Sequence, residues 1–174
     1  IVLDGRGQTA RDDTFSLEGG TFTIGASGTA SGNNNANLTC SIRLGGGQIT
    51  AKADWSSTLN MQLTGTNGDV VLDTRAYAIT LSGSLSGDGG LIKNGTGTLV
   101  LAGTNAYQGS TRMNNGTLVL LGPLGAGTGE LRVAGGAFLA GTSVIRDTVM
   151  IEAGGTLSPG TVPGAVGTIT TASA

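Results

Sequence analysis

Leu85-Ser86-Gly87-Asp88-Gly89-Gly90-Leu91-Ile92-Lys93-Asn94-Gly95-Thr96-Gly97-Thr98-Leu99-Val100-Leu101 decides the fold. It ends in a short run, Thr98 to Leu101, that alternates with a period of two behind an anchoring Gly97, and it is punctuated by Gly, Asn and Asp. That combination reads as a strand bounded by turns. The run returns as Gly116-Thr117-Leu118-Val119-Leu120, then as Gly136-Ala137-Phe138-Leu139-Ala140 and Gly155-Thr156-Leu157-Ser158-Pro159. From Gly97 onward the anchors lie about 19 to 20 residues apart, a step typical of a solenoid or array. Looser copies precede it at Gly20-Thr21-Phe22-Thr23-Ile24, Gly47-Gln48-Ile49-Thr50-Ala51 and Gly68-Asp69-Val70-Val71-Leu72, at longer and less regular intervals.

In the best copies Leu99 and Leu101, and then Leu118 and Leu120, face one way, and Val100 and Val119 face the other. One such strand cannot bury its own apolar face. Further strand-like pieces, among them Tyr77-Ala78-Ile79-Thr80-Leu81, Leu131-Arg132-Val133 and Val149-Met150-Ile151, lie between the anchors. Two or three short strands per ~20 residues describe one coil of a parallel β-helix. Coils stacked at the ~4.8 Å strand spacing hydrogen-bond to each other and bury a continuous aliphatic core. A sandwich would space its strands less regularly, and a propeller blade needs roughly 40 to 50 residues. The reading is therefore an all-β, single-stranded parallel β-helix of about 19–22 residues per coil. Residues 1–84 form less regular coils, 85–119 the best repeat, and 120–174 further coils with a Gly/Pro-rich tail.

Composition agrees. The chain of 174 residues has 33 glycines, aromatics at 3%, charged residues at 11%, one cysteine and no histidine. Glycine serves tight corners, and Thr and Val suit stacked pleated surfaces. Without histidine, no Ser-His-Asp or Cys-His nucleophile can be assembled, and the commonest metal ligand is missing. A net charge of −2 offers no basic footprint for nucleic acid. Cys40 alone forms no internal disulfide. No segment reaches the ~20 apolar residues of a membrane helix, so membrane insertion by this segment is not expected. Ile1 opens the chain without Met or a signal pattern, which reads as an excised fragment or a processed chain.

The quoted stretch continues as Ala102-Gly103-Thr104-Asn105-Ala106-Tyr107-Gln108-Gly109-Ser110-Thr111 and ends at Asn115-Gly116-Thr117-Leu118. It resembles the autotransporter-associated β-strand repeat, also called the passenger-associated transport repeat. The matching positions are Gly89, Gly90, Leu91, Lys93, Gly95, Gly97, Thr98, Leu99, Leu101, Gly103, Asn105, Tyr107, Gly109, Thr111, Gly116, Thr117 and Leu118. A later phrase, Gly154 to Gly160 followed by Pro163-Gly164, is similar to another common in such passengers. The resemblance implies a right-handed β-helix carried as the passenger of a type V secretion system, on or released from a Gram-negative surface, with the repeat aiding export. It also implies a C-terminal outer-membrane translocator barrel and neighbouring coils beyond this stretch as partners.

Three groups of residues are candidate sites. Asp69 and Asp88, 19 residues apart with Asp73 nearby, are a carboxylate group that polysaccharide hydrolysis or calcium would need; as solvated corner residues they need neither. Lys93, Arg112 and Arg132 each stand four residues before an anchor glycine. They are expected to form one row of cations, suited to an acidic glycan or acting as a guard against sideways pairing. Trp55, in an irregular stretch, is a candidate sugar or protein contact in a loop, or a cap on the core. Tyr107 occupies a repeat position and is expected to be structural. No cofactor, catalytic set or metal site is assigned. The expected function is a structural passenger segment supporting export and display; an adhesin for host glycans or proteins, and a polysaccharide-degrading enzyme, are the alternatives.

Overall fold

The computed structural model describes residues 2–3, 11–27, 30–31, 38–126, 128–160 and 167–171, so Pro163 and Gly164 lie outside the described residues. Among these every regular element is a strand, and all the strand ladders are parallel. The chain winds repeatedly past three sheets. The first contains β2 (Arg11–Leu17), β5 (Leu38–Leu44), β8 (Met61–Leu63) and β11 (Leu85–Ser86). The second contains β3 (Thr21–Ile24), β6 (Gln48–Ala51), β9 (Val70–Asp73), β12 (Leu91–Asn94), β14 (Thr111–Met113), β16 (Glu130–Val133) and β19 (Thr148–Ile151). The third contains β7 (Trp55–Ser57), β10 (Ala78–Leu81), β13 (Thr98–Leu101), β15 (Thr117–Leu120), β17 (Phe138–Gly141) and β20 (Thr156–Pro159). Two short pairs, β1 (Val2–Leu3) with β4 (Ala30–Ser31) and β18 (Val144–Ile145) with β21 (Thr170–Thr171), complete the set. Beyond β11 the first side continues as single bridges, Asn105 to Leu124 to Ile145. The result is a β-solenoid of about six turns.

The alternation expected from the sequence is the alternation observed. Leu99 and Leu101 are fully buried beneath Leu118 and Leu120, and Val100 stands half-exposed on the outside. In the third sheet the inward row runs Trp55, Ile79, Leu99, Leu118, Leu139, Leu157 in strict register. Its steps are 20, 19, 21 and 18 residues from Ile79 onward. The earlier coils are longer, with 27 residues between Phe22 and Ile49 and 23 between Ile49 and Leu72. That is why the amino-terminal copies resist a single period. Each buried leucine contributes roughly 1.5–3 kcal/mol relative to exposure, so the stacked rows supply the cohesion that a disulfide-free chain needs.

Corners demand close approach. Gly103 lies against Gly83, and Gly122 against Gly103; a Cβ on either of the later two would run into the carbonyl of the coil before. Gly95 turns with φ +81°, and a side chain there would strike the backbone of Arg75. Glycine answers both needs, because it lacks the Cβ that clashes and reaches positive φ without penalty.

Candidate functional site

The repeat residues form a continuous strip through one coil and its neighbours. Leu91, Leu99, Leu101 and Leu118 fill the interior, whereas Asn105, Tyr107 and Thr111 fasten a corner. The Asn105 side-chain amide donates to Gly103 O (2.7 Å) and Pro123 O (3.3 Å), and its backbone N–H reaches Pro123 O. Tyr107 is fully buried, its hydroxyl 2.5 Å from Thr111 Oγ1. Burial pushes its phenol well above the usual range; the Thr111 bond opposes this, and Asp147 and Asp69 reinforce it. A ring held this way is a structural fastener, inaccessible to a sugar.

Lys93 departs from the expectation. It does not join an exposed row with Arg112 and Arg132, because Lys93 pairs with Leu72 on one side and Met113 on the other. It belongs to the inward row and has no exposed surface. Arg112 pairs with Ile92 and Arg132, so the outward row is Val71, Ile92, Arg112, Arg132, Met150. The physical reason is corner length. From Lys93 to Thr98 the chain takes five steps, whereas from the matched Met113 to the matched Thr117 it takes four. Counting back four from each glycine therefore misplaces Lys93 by one residue, and one residue exchanges the faces of a strand.

The Lys93 ammonium is surrounded by four acceptors: Gly95 O at 2.8 Å, Thr74 Oγ1 and Asn94 O at 3.0 Å, and Asn115 O at 3.1 Å. Burial pushes its pKa down to about 8, and the Asp73 carboxylate acts in the opposite sense. Thr74, fully buried and supplying one of these acceptors, carried no signal in the sequence beyond being a small polar residue near a turn.

Outside, Arg132 is engaged by two carboxylates, Glu130 at 3.0 Å and Glu152 at 3.2 Å. Arg112 is exposed and makes no ion pair among the described residues. Trp55 stands in β7, not in a loop: only 4% exposed, it faces Phe15, Phe22, Ile24, Ile42, Ile49 and Met61 around a small apolar cavity. Trp55 is core here, and its indole offers no stacking surface. The carboxylate cluster does not assemble either. Asp69 is level with Gly90 and accepts its N–H (2.9 Å), whereas Asp88 accepts from Gln108 (2.8 Å). Asp73 takes the Arg75 N–H (2.9 Å) and lies 3.4 Å from Gln48 Nε2. Asp73 ties its own turn, whereas Asp69 and Asp88 each tie the next coil, and among the described residues no three acidic side chains gather where they could hold a metal ion.

A three-sided parallel solenoid whose best-formed coil is fastened by Lys93, Asn105 and Tyr107 defines a fold class, the parallel β-solenoids. Residues 91–120 match the Passenger-associated-transport-repeat model, so the chain carries an autotransporter passenger repeat. Over 81 residues, 47% of this chain, it is 37% identical to the adhesin BmaC autotransporter of Brucella suis biovar 1, of which it spans 2%. Over 58 residues, 32% of the chain, it is 43% identical to the neisserial autotransporter lipoprotein NalP of Neisseria meningitidis serogroup B, of which it spans 5%. The chain thus covers a small fraction of the curated relatives it matches. No solved structure matches it.

Proposed function

We propose that this segment is a structural scaffold of a type V secreted surface protein, displayed outside a Gram-negative cell and exported with the help of its repeat. The observation that carries this is the use of the repeat residues. Leu91, Lys93, Leu99, Leu101, Asn105, Tyr107, Thr111 and Leu118 are spent on the interior and the corners, which commits these positions to folding. A chain that crosses a pore unfolded and then stacks coil on coil gains stability locally as it emerges. Its partners in this reading are a translocator barrel and flanking coils of the same polypeptide. No enzymatic role is proposed, since Asp69, Asp73 and Asp88 are separately engaged. Deleting residues 91–120 from the full passenger with its translocator is expected to lower surface display, read by protease accessibility on intact cells. Display at the wild-type level would refute the scaffold reading.

A second reading is favoured by one observation, the outward stack of Arg112 on Arg132. Two cations one strand spacing apart repel modestly in water; Glu130 and Glu152 offset Arg132, so in this reading Arg112 is the cation that pairs with an anionic glycan. The adhesin name of the Brucella relative is in keeping with it. Arg112→Glu with Arg132→Glu is expected to abolish retention on an acidic polysaccharide, and unchanged retention removes the adhesin reading for this face.

A further inference from the structure

Three consecutive corners between the second and third sheets differ in length. Leu72 to Ala78 takes six steps, Lys93 to Thr98 five and Met113 to Thr117 four, although the strands on either side are in strict register. Stacked turns of unequal length cannot repeat one another's hydrogen bonds, and among the described residues no backbone N–H reaches the Gly95 or Asn115 carbonyl. One side chain meets all three corners. Lys93 Nζ takes its acceptors from Thr74 in the six-step turn, from Asn94 and Gly95 in the five-step turn and from Asn115 in the four-step turn. The Asn94 carbonyl also receives the backbone N–H and the hydroxyl of Thr74.

We propose that Lys93 is an internal cation clamp, a built-in ammonium that fills a carbonyl-lined corner site and makes the coils spanning residues 70–120 open and close as one unit. The chemistry leaves little alternative use for the group. A buried ammonium without acceptors is costly by several kcal/mol. Here the acceptors come from three coils, so the charge is sealed only when the coil before supplies Thr74 and the coil after supplies Asn115. A central coil stacked on one neighbour alone would leave Nζ short of partners and facing water. The aliphatic residues above and below, Leu72 and Met113, attract any apolar neighbour equally well and impose no such condition. The clamp therefore acts through other residues and not on a ligand, and what it adds is coupling between coils more than net stability. That division fits the general behaviour of buried charges, whose replacement by an apolar residue of similar volume is often neutral or stabilising.

Backbone hydrogen exchange on the folded chain, read by mass spectrometry in wild type and Lys93→Met, tests it. Four corner amides report the clamp: Thr74 N–H to Asn94 O, Gly97 N–H to Arg75 O, Asn114 N–H to Lys93 O and Thr117 N–H to Gly97 O. In wild type they are expected to exchange at one common slow rate. In K93M they should exchange about tenfold faster or more and at rates that differ from coil to coil, while the strand amides of residues 99–101 and 118–120 keep their protection. Corner amides within about twofold of wild type would overturn the proposal. So would equal acceleration of corner and strand amides, which would make Lys93 a contributor to global stability only. Should K93M not fold, the same amides are read in Thr74→Val, which keeps the ammonium and removes one acceptor. They are expected to exchange about threefold faster than in wild type, and no change there overturns the clamp equally.

Discussion

Lys93 shows what a single buried charge does to pH dependence. With its folded pKa near 8 and its ordinary value at 10.5, the unfolded chain holds more protons than the folded one between these limits. Stability therefore rises with pH across that window, and the cost of the buried charge is fully felt below pH 8. The charged group acting on it is Asp73 of β9; the neighbour on β14 is the uncharged Met113. The difference in thermal midpoint between wild type and K93M should shift in favour of wild type from pH 8 to 10, and a flat difference would contradict this. Comparing the two proteins cancels Tyr107, whose raised pKa works in the opposite sense above pH 10. At Tyr107 itself, the Phe substitution leaves the buried Thr111 hydroxyl without its partner. It is expected to cost about 1–3 kcal/mol in denaturant unfolding, and a loss well under 0.5 kcal/mol would mean that the hydroxyl finds another partner.

At the scale of the element, the strands and their corners have different tolerances. Leu118→Ala in the inward row of β15 should cost about 2–5 kcal/mol through lost burial and a cavity. Gly103→Ala fills no cavity, but it forces Ala against the Gly83 carbonyl, so a loss of about 1–3 kcal/mol is expected; a neutral Gly103→Ala would show that the corner yields. Strands were legible in the sequence, because a period of two and a step near 20 residues are local signals repeated often enough to reinforce one another. Corners were not. Their lengths vary between four and six steps, and nothing in Asn94-Gly95-Thr96-Gly97 says which length applies. This hid the inward face of Lys93 while leaving Arg112 and Arg132 rightly stacked. Trp55 was hidden for a related reason: β7 has only three residues and follows a polar turn, so its alternation is too brief to read.

Across the whole molecule, strand pairing joins each coil to the next and seldom reaches further. Stability in such a stack is close to a sum of coil and interface contributions and need not be uniform. The long, less regular first coils carry Phe15 and Phe22 only partly buried, whereas Ile79, Leu99 and Leu118 are sealed. Amides of β3 and β6 are therefore expected to exchange sooner than those of β10, β13 and β15, and uniform protection from end to end would contradict a graded stack.

The same arrangement makes the solenoid a mechanical element. Its inter-strand hydrogen bonds run along the long axis, so a pull on the two ends loads them in series and opens the stack piecewise, single coils outside residues 70–120 separately from the clamped block within them. A coil of 20 residues occupies about 4.8 Å of that axis when stacked and spans roughly 70 Å when drawn straight. Losing one coil under load thus lengthens the tether by more than about tenfold the height it gave up, and the remaining coils stay folded. A solenoid built this way gives ground under load in discrete steps.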